Sequence, residues 1–185
     1  DGPVRVFGPP GAIEVLHHRL RGYTWNLVAG VPGERIVTEV GGGKLNSSRF
    51  LTTEGFETKH ALQESSATGD VVYRGDCFTV RSHTLDHGTP CLAYAVREDD
   101  RQNVDTDVLR ELGLQPGPWL KAVKDIGGVS EDTPISIAGN DYTVGDLCKR
   151  LLINCPGDSI AYVTDFFLAT EADEDRLVRF LSGSQ

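Results

Sequence analysis

At 185 residues, with 39% hydrophobic and 24% charged side chains, the chain can bury a sizeable core, which excludes general disorder. No apolar run approaches the roughly 20 residues that span a bilayer, and Asp1-Gly2-Pro3 does not resemble a signal peptide. The formal net charge of −9 argues against nucleic-acid binding through bulk electrostatics, leaving a local basic patch or bound metal as the route to such a partner.

Methionine is absent, so the natural start is expected to lie outside these residues. Cys77, Cys91, Cys148 and Cys155 form no CxxC pair and read as reduced, mostly buried thiols of a cytoplasmic protein.

In chain order, Val4-Arg5-Val6-Phe7-Gly8 alternates like a strand, and Pro9-Pro10-Gly11 turns the chain. Residues 12–21 place Ile13, Val15, Leu16 and Leu20 at helical spacing, with Gly22 as the stop. Three strands are expected at 24–28, 35–40 and 49–53, and residues 61–69 read as a loop. Val71-Val72-Tyr73 and Cys77-Phe78-Thr79-Val80 suggest a hairpin turning at Arg74-Gly75-Asp76, followed by a strand at 91–96. Helices are expected at 104–112 and 119–126, separated by Gln115-Pro116-Gly117-Pro118. A strand at 135–137, a helix at 143–152, a strand at 159–164 and a helix at 173–181 complete an α/β pattern of layers.

Gly41-Gly42-Gly43-Lys44 superficially suggests a phosphate loop, but Thr38 and Leu45 occupy positions that need Gly and Ser or Thr, so a hairpin turn is expected. Adjacent His17 and His18 point in different directions on a helix and make a poor metal pair. His83-Thr84-Leu85-Asp86-His87-Gly88 puts two imidazoles and a carboxylate at a strand end, with His83 and His87 on one face and Asp86 on the other. Imidazole suits zinc and a carboxylate can orient it; a polar strand end with local hydrogen bonds explains the same residues. Ile160-Ala161-Tyr162-Val163-Thr164-Asp165 ends an apolar strand in a carboxylate, either a site residue at a strand terminus or a helix cap.

These segments, in order, resemble ribonuclease Z, the metal-dependent endonuclease family that trims the 3′ end of precursor tRNA. Val4-Arg5-Val6-Phe7-Gly8-Pro9-Pro10-Gly11 is similar to the strand and Gly-Pro turn after its first metal motif. Cys77-Phe78-Thr79-Val80, Leu85-Asp86-His87-Gly88 and Ala93-Tyr94 resemble the stretch carrying a metal-binding histidine. The segment from Leu109 through Gly117-Pro118 looks like the approach to its substrate arm, and Ile160 to Asp165 like the strand whose terminal aspartate bridges two metals. The resemblance runs from Val4 to about Leu181 and is faintest over 31–69.

The resemblance implies an α/β, metallo-β-lactamase-like αββα sandwich, incomplete at both ends. It further implies a single partial domain over 1–185 with a substrate arm around 114–125; Pro116, Pro118 and the aromatic surface of Trp119 suit a segment that projects, and a packed surface helix with Trp119 in the core explains the same residues. It makes His87 a terminal zinc ligand and Asp165 the bridging carboxylate, and it places Gly117 and Pro118 in the arm that grips tRNA; read from charge alone, Lys121 and Lys124 supply local positive charge in an acidic chain, as phosphate contacts require. Two zinc ions would activate a water for attack on the phosphodiester. The family's His-x-His-x-Asp-His motif and its last histidine are not among these residues, so this chain alone is expected to be inactive. Thr164 and Phe166 also depart from the family's Gly and Thr around the bridging aspartate. A homodimer with no membrane association is expected. The same residues also fit another hydrolase of this fold acting on small esters, a binding module that has lost its metals, or one of two complementing chains.

Overall fold

The computed structural model describes residues 2–25, 30–125 and 128–183. In chain order these form β1 (Val4–Gly8), α1 (Ala12–Arg21), β2 (Glu34–Gly41), β3 (Lys44–Leu51), β4 (His60–Ala61), β5 (Ser65–Ser66), β6 (Val71–Arg74), β7 (Phe78–Asp86) and β8 (Pro90–Glu98). There follow β9 (Arg101–Val104), α2 (Thr106–Glu111), α3 (Trp119–Lys124), β10 (Pro134–Ile137), β11 (Asn140–Thr143), α4 (Val144–Leu151), β12 (Leu152–Cys155), β13 (Ser159–Tyr162) and α5 (Glu171–Ser182). The fold is therefore mixed α/β. Backbone contacts divide the chain into two compact units, residues 1–98 with 159–185, and residues 99–158. The expected strand at 24–28 falls largely outside the described residues.

In the first unit, β1, β2, β3 and β4 form one sheet in that order, with β5 also paired to β3. β1 and β2 run parallel, which requires a crossover, and α1 supplies it. No side chain of its own caps α1; instead Glu39 Oε1, reaching from β2, accepts from the backbone N–H groups of Gly11 (2.9 Å) and Ile13 (3.0 Å). A Cβ at Gly8 would stand 2.6 Å from the Ala12 Cβ, so the tight passage from β1 into α1 needs glycine there. Ile13 of α1 is buried with Val37, Phe50 and Phe56, and Val6, Leu16 and Leu20 pack against them. Full burial of Val37 and Phe50 stabilises the helix-on-sheet layer by about 1.5–3 kcal/mol each.

Gly42 and Gly43, with φ of 59° and 74°, make the two-residue turn between β2 and β3. This turn starts β3 at Lys44, earlier than the strand expected at 49. The glycine run is thus a hairpin turn, and Lys44 pairs with Glu64 at 2.9 Å.

The second sheet has the order β13, β8, β7, β6, all antiparallel. Leu177 and Phe180 of α5 bury with Leu85, Ala93 and Ala95 on one face of this sheet. Thr170 and Asp173 close a capping box that starts α5. Tyr94 lies on the opposite face, and its hydroxyl donates to the Phe7 carbonyl at 2.7 Å. Phe7 in turn lies on the face of the first sheet that looks away from α1. The order of layers in this unit is α1, first sheet, second sheet, α5.

In the second unit, β9 pairs with β12, and β10 with β11. Its core holds Leu109, Leu114, Val123, Ile137, Leu147 and Leu151. The Asp105 side chain accepts from the N–H groups of Asp107 and Val108, so α2 starts at Thr106 rather than 104. Val104 instead pairs with Leu152. All four cysteines are free thiols; Cys77 is exposed and the others only half-buried, against the expectation of mostly buried thiols.

Candidate functional site

β7 ends at Asp86, and His87-Gly88-Thr89 turns the chain into β8. Asp86 Oδ1 accepts from the Gly88 N–H at 2.8 Å, and Gly88 takes the left-handed φ of 72° that the turn needs. The His87 N–H donates to the Thr89 carbonyl at 3.0 Å.

The loop after β13 folds onto this turn. The Phe167 N–H donates to the Asp86 carbonyl at 2.7 Å, forming an isolated antiparallel bridge. The Cys91 thiol donates to the Asp165 carbonyl at 3.1 Å. Asp165 itself has φ of 48°, a left-handed conformation that Asp tolerates better than most residues. The rings of His87 and Phe167 stack with centroids 4.7 Å apart and planes 22° apart. His87 and Asp165, distant in sequence, therefore sit at the same edge of the second sheet, and both are exposed. Burial first, then the charges of Asp86 and Asp165, pushes the Cys91 thiol above its ordinary range, which keeps it a protonated donor.

His83 does not join His87. The expected shared face ends with β7 at Asp86, and His87 belongs to the turn. His83 instead stacks on Phe180 of α5, with centroids 5.4 Å apart. Burial first, then the nearby Arg176 charge, lowers its pKa, while Asp70 acts in the opposite direction. His83, Asp86, Thr89, Phe167, Asp173 and Arg176 contribute to the walls of a cleft of about 420 Å³ beside the turn.

The donors at this edge have the chemistry zinc accepts, but their number does not fit a zinc site. Among the described residues no group of three or more His, Cys, Asp and Glu is placed to hold a metal ion, whereas zinc takes four ligands, at least three of them from protein. The other histidines are engaged elsewhere. A His17 ring nitrogen bonds the Glu57 carbonyl and one of His18 the Glu14 carbonyl, while His60 pairs with Glu54 at 2.7 Å.

Gly117, Pro118, Lys121 and Lys124 lie in the second unit. Pro118 precedes the first turn of α3, and Gly117 abuts the Trp119 ring, whose Nε1 donates to the Gln115 carbonyl at 3.2 Å. Lys121 and Lys124, three positions apart on α3, are exposed. Leu114 and Val123 are buried and Trp119 packs against the same core. Within its unit, the 114–125 segment is a helix and its approach, packed on that core.

Sequence reasoning missed Cys91 and Phe167 as parts of this site. Only the fold brings them to Asp165 and His87, and neither residue carries a local signal.

No family model matches the chain. It is 39% identical over 178 residues to Ribonuclease Z of Deinococcus radiodurans, covering 96% of this chain and 52% of that protein. It is 42% identical over 83 residues to Ribonuclease Z of Thermococcus sibiricus, covering 44% and 26%. Against Ribonuclease Z of Bacillus thuringiensis the figures are 33% over 125 residues, covering 66% and 40%. The chain spans about half the length of the first of these relatives and less of the other two.

Proposed function

We propose, from the premise that this chain is a relative of a portion of ribonuclease Z, that it forms part of a metal-dependent endonuclease processing the 3′ ends of precursor tRNA in the cytoplasm. The first unit, with its layers of helix, sheet, sheet and helix, would be part of a metallo-β-lactamase-like αββα sandwich. The reading is supported by the Asp86–Phe167 bridge and the Cys91–Asp165 hydrogen bond, which join the loop that carries Asp165 to the turn that carries His87. His87 would be a terminal zinc ligand and Asp165 a carboxylate bridging two ions.

Two donors are too few for a dinuclear centre, so the 185 residues alone would neither hold two zinc ions nor cleave RNA. What they would contribute is two of its ligands, His87 and Asp165. Zinc, where a complete ligand set binds it, supplies an activated water and charge for the phosphate oxygens. Gly117, Pro118, Lys121 and Lys124 would contact the tRNA from the second unit. The two lysines provide local positive charge in an otherwise acidic chain, as phosphate contacts require. A homodimer is the assembly proposed for the whole protein.

A chimera tests this reading: residues 4–181 replace the matching portion of the Deinococcus radiodurans protein. The chimera should cleave precursor tRNA, and Asp165→Ala or His87→Ala should each reduce cleavage by at least about 100-fold without loss of fold, as losing a metal ligand or its support does. Cleavage that survives both substitutions would overturn the assignment.

A further inference from the structure

The two edges of the second sheet differ. At one, β6 carries a bulge between Val71 and Tyr73 and ends in Arg74, devices that keep a free edge from pairing with another strand. At the other, β13 is Ser159-Ile160-Ala161-Tyr162, with no charge, no proline and no bulge. Among the described residues β8 is its one strand partner, so its outer edge presents unpaired N–H and C=O groups. Ile160 pairs with Val96 and Tyr162 with Tyr94, which puts both side chains on the face of the second sheet that looks toward the first. There the first sheet covers only part of the second. Its terminal strand, β1, sets Phe7 beside Tyr73 of β6, ring centroids 6.0 Å apart, and the Phe7 carbonyl accepts from Tyr94 of β8. One strand beyond β8 the cover is absent: Ile160 is 72% exposed and Tyr162 66%. All four residues of β13 are exposed, whereas one face of a sandwich strand ordinarily packs against the facing sheet.

The match to the Deinococcus radiodurans protein covers 52% of it, so about half of that protein's length has no counterpart among these residues. We propose that β13 is the docking edge for a further strand, drawn from that remaining portion of ribonuclease Z, whether it is carried in the same polypeptide or in a second one. The added strand pairs with the outer edge of β13, and its apolar side chains, at alternate positions on the inner face, close against Ile160 and Tyr162. Backbone pairing supplies the affinity, and the alternation of apolar positions fixes the register. The occupant is identified by the relationship to ribonuclease Z; His87, Asp165 and metal binding play no part in it.

Residue-resolved hydrogen exchange tests this in the 185-residue chain and in the chimera described above. In the 185-residue chain the outward amides of β13 should exchange near the rate of an open chain. In the chimera they should exchange at least about 100-fold more slowly, as strands inside a sheet do, while the amides of β2 are protected in both proteins. Ile160→Lys together with Tyr162→Lys should restore fast exchange in the chimera and lower its urea midpoint. The same pair should leave the midpoint of the 185-residue chain unchanged, because both side chains already face solvent there. Equal exchange in the two proteins, or a chimera indifferent to the two lysines, overturns the proposal. So does protection in the 185-residue chain that grows with its concentration and is lost with the lysines, since the occupant is then a second copy. If the double variant of the chimera does not fold, Tyr162→Ser alone is read in the same way. If the chimera itself leaves β2 unprotected, the intact Deinococcus radiodurans protein is read instead, and an unprotected strand at the position matching β13 overturns the proposal. Cleavage of precursor tRNA judges the function proposed above and amide protection at β13 judges the docking edge, so either can fail alone.

Discussion

Removing the Glu39 carboxylate should loosen α1 from the first sheet by an amount its geometry sets. Glu39 Oε1 accepts from two backbone N–H groups, Gly11 at 2.9 Å and Ile13 at 3.0 Å, at a helix start that has no capping side chain of its own. Loss of a capping acceptor costs about 0.5–2 kcal/mol, and loss of negative charge at a helix N-terminus about 0.3–1 kcal/mol. Glu39→Ala should therefore destabilise the first unit by about 1–3 kcal/mol. Glu39→Gln keeps an oxygen acceptor and should lose only the charge contribution, under about 1 kcal/mol. Urea unfolding followed by fluorescence reads this directly. The two tryptophans fall one in each unit, so a Trp119→Phe background leaves Trp25, which packs edge-on against Phe56, as the reporter of the unit that changes. If Glu39→Ala unfolds at the wild-type urea concentration, or Glu39→Gln is as unstable as Glu39→Ala, the carboxylate does not cap α1.

Gly8→Ala should destabilise the same unit by about 1–3 kcal/mol in the same assay, because the added Cβ would stand 2.6 Å from the Ala12 Cβ; a neutral effect would show that the passage from β1 into α1 is not tight. Asp70 is held below its ordinary pKa first by the hydrogen bond from Arg81 and then by that residue's charge. With the folded pKa depressed, the stabilisation is present above the unfolded value of about 3.9 and is lost as pH falls through the folded value. Asp70→Asn should thus cost up to about 1 kcal/mol at pH 7, a modest figure because the pair is partly screened by solvent. Its deficit should shrink as pH falls below the unfolded value, and a deficit independent of pH would refute the role of the charge.

Much of the first unit was legible because its signals are local. Ile13, Leu16 and Leu20 give helical spacing, Gly22 closes the helix, and Gly42-Gly43 marks a hairpin turn. In the second unit β9 and β12 were not legible, since Arg101-Gln102-Asn103-Val104 has no alternation and becomes a strand only by pairing with residues 152–155. β11 was hidden because Ala138, with φ of 51°, occupies a turn position where sequence leads one to expect Gly or Asn. For 114–125 the sequence left a projection and a packed helix both open, and the burial of Leu114 and Val123 in one core is a contact that its prolines do not disclose. At the candidate site, His87 and Asp165 came from resemblance to a family, whereas the thiol and ring that hold them together are contacts of the folded chain alone.

Anomalous X-ray scattering at the zinc edge, from crystals of the chimera described above, tests the central claim most directly. The account predicts two peaks separated by about 3.5–4 Å, one within about 2 Å of a His87 ring nitrogen and both within about 2 Å of the Asp165 carboxylate. Peaks bound elsewhere, with His87 and Asp165 directed into solvent, would contradict it.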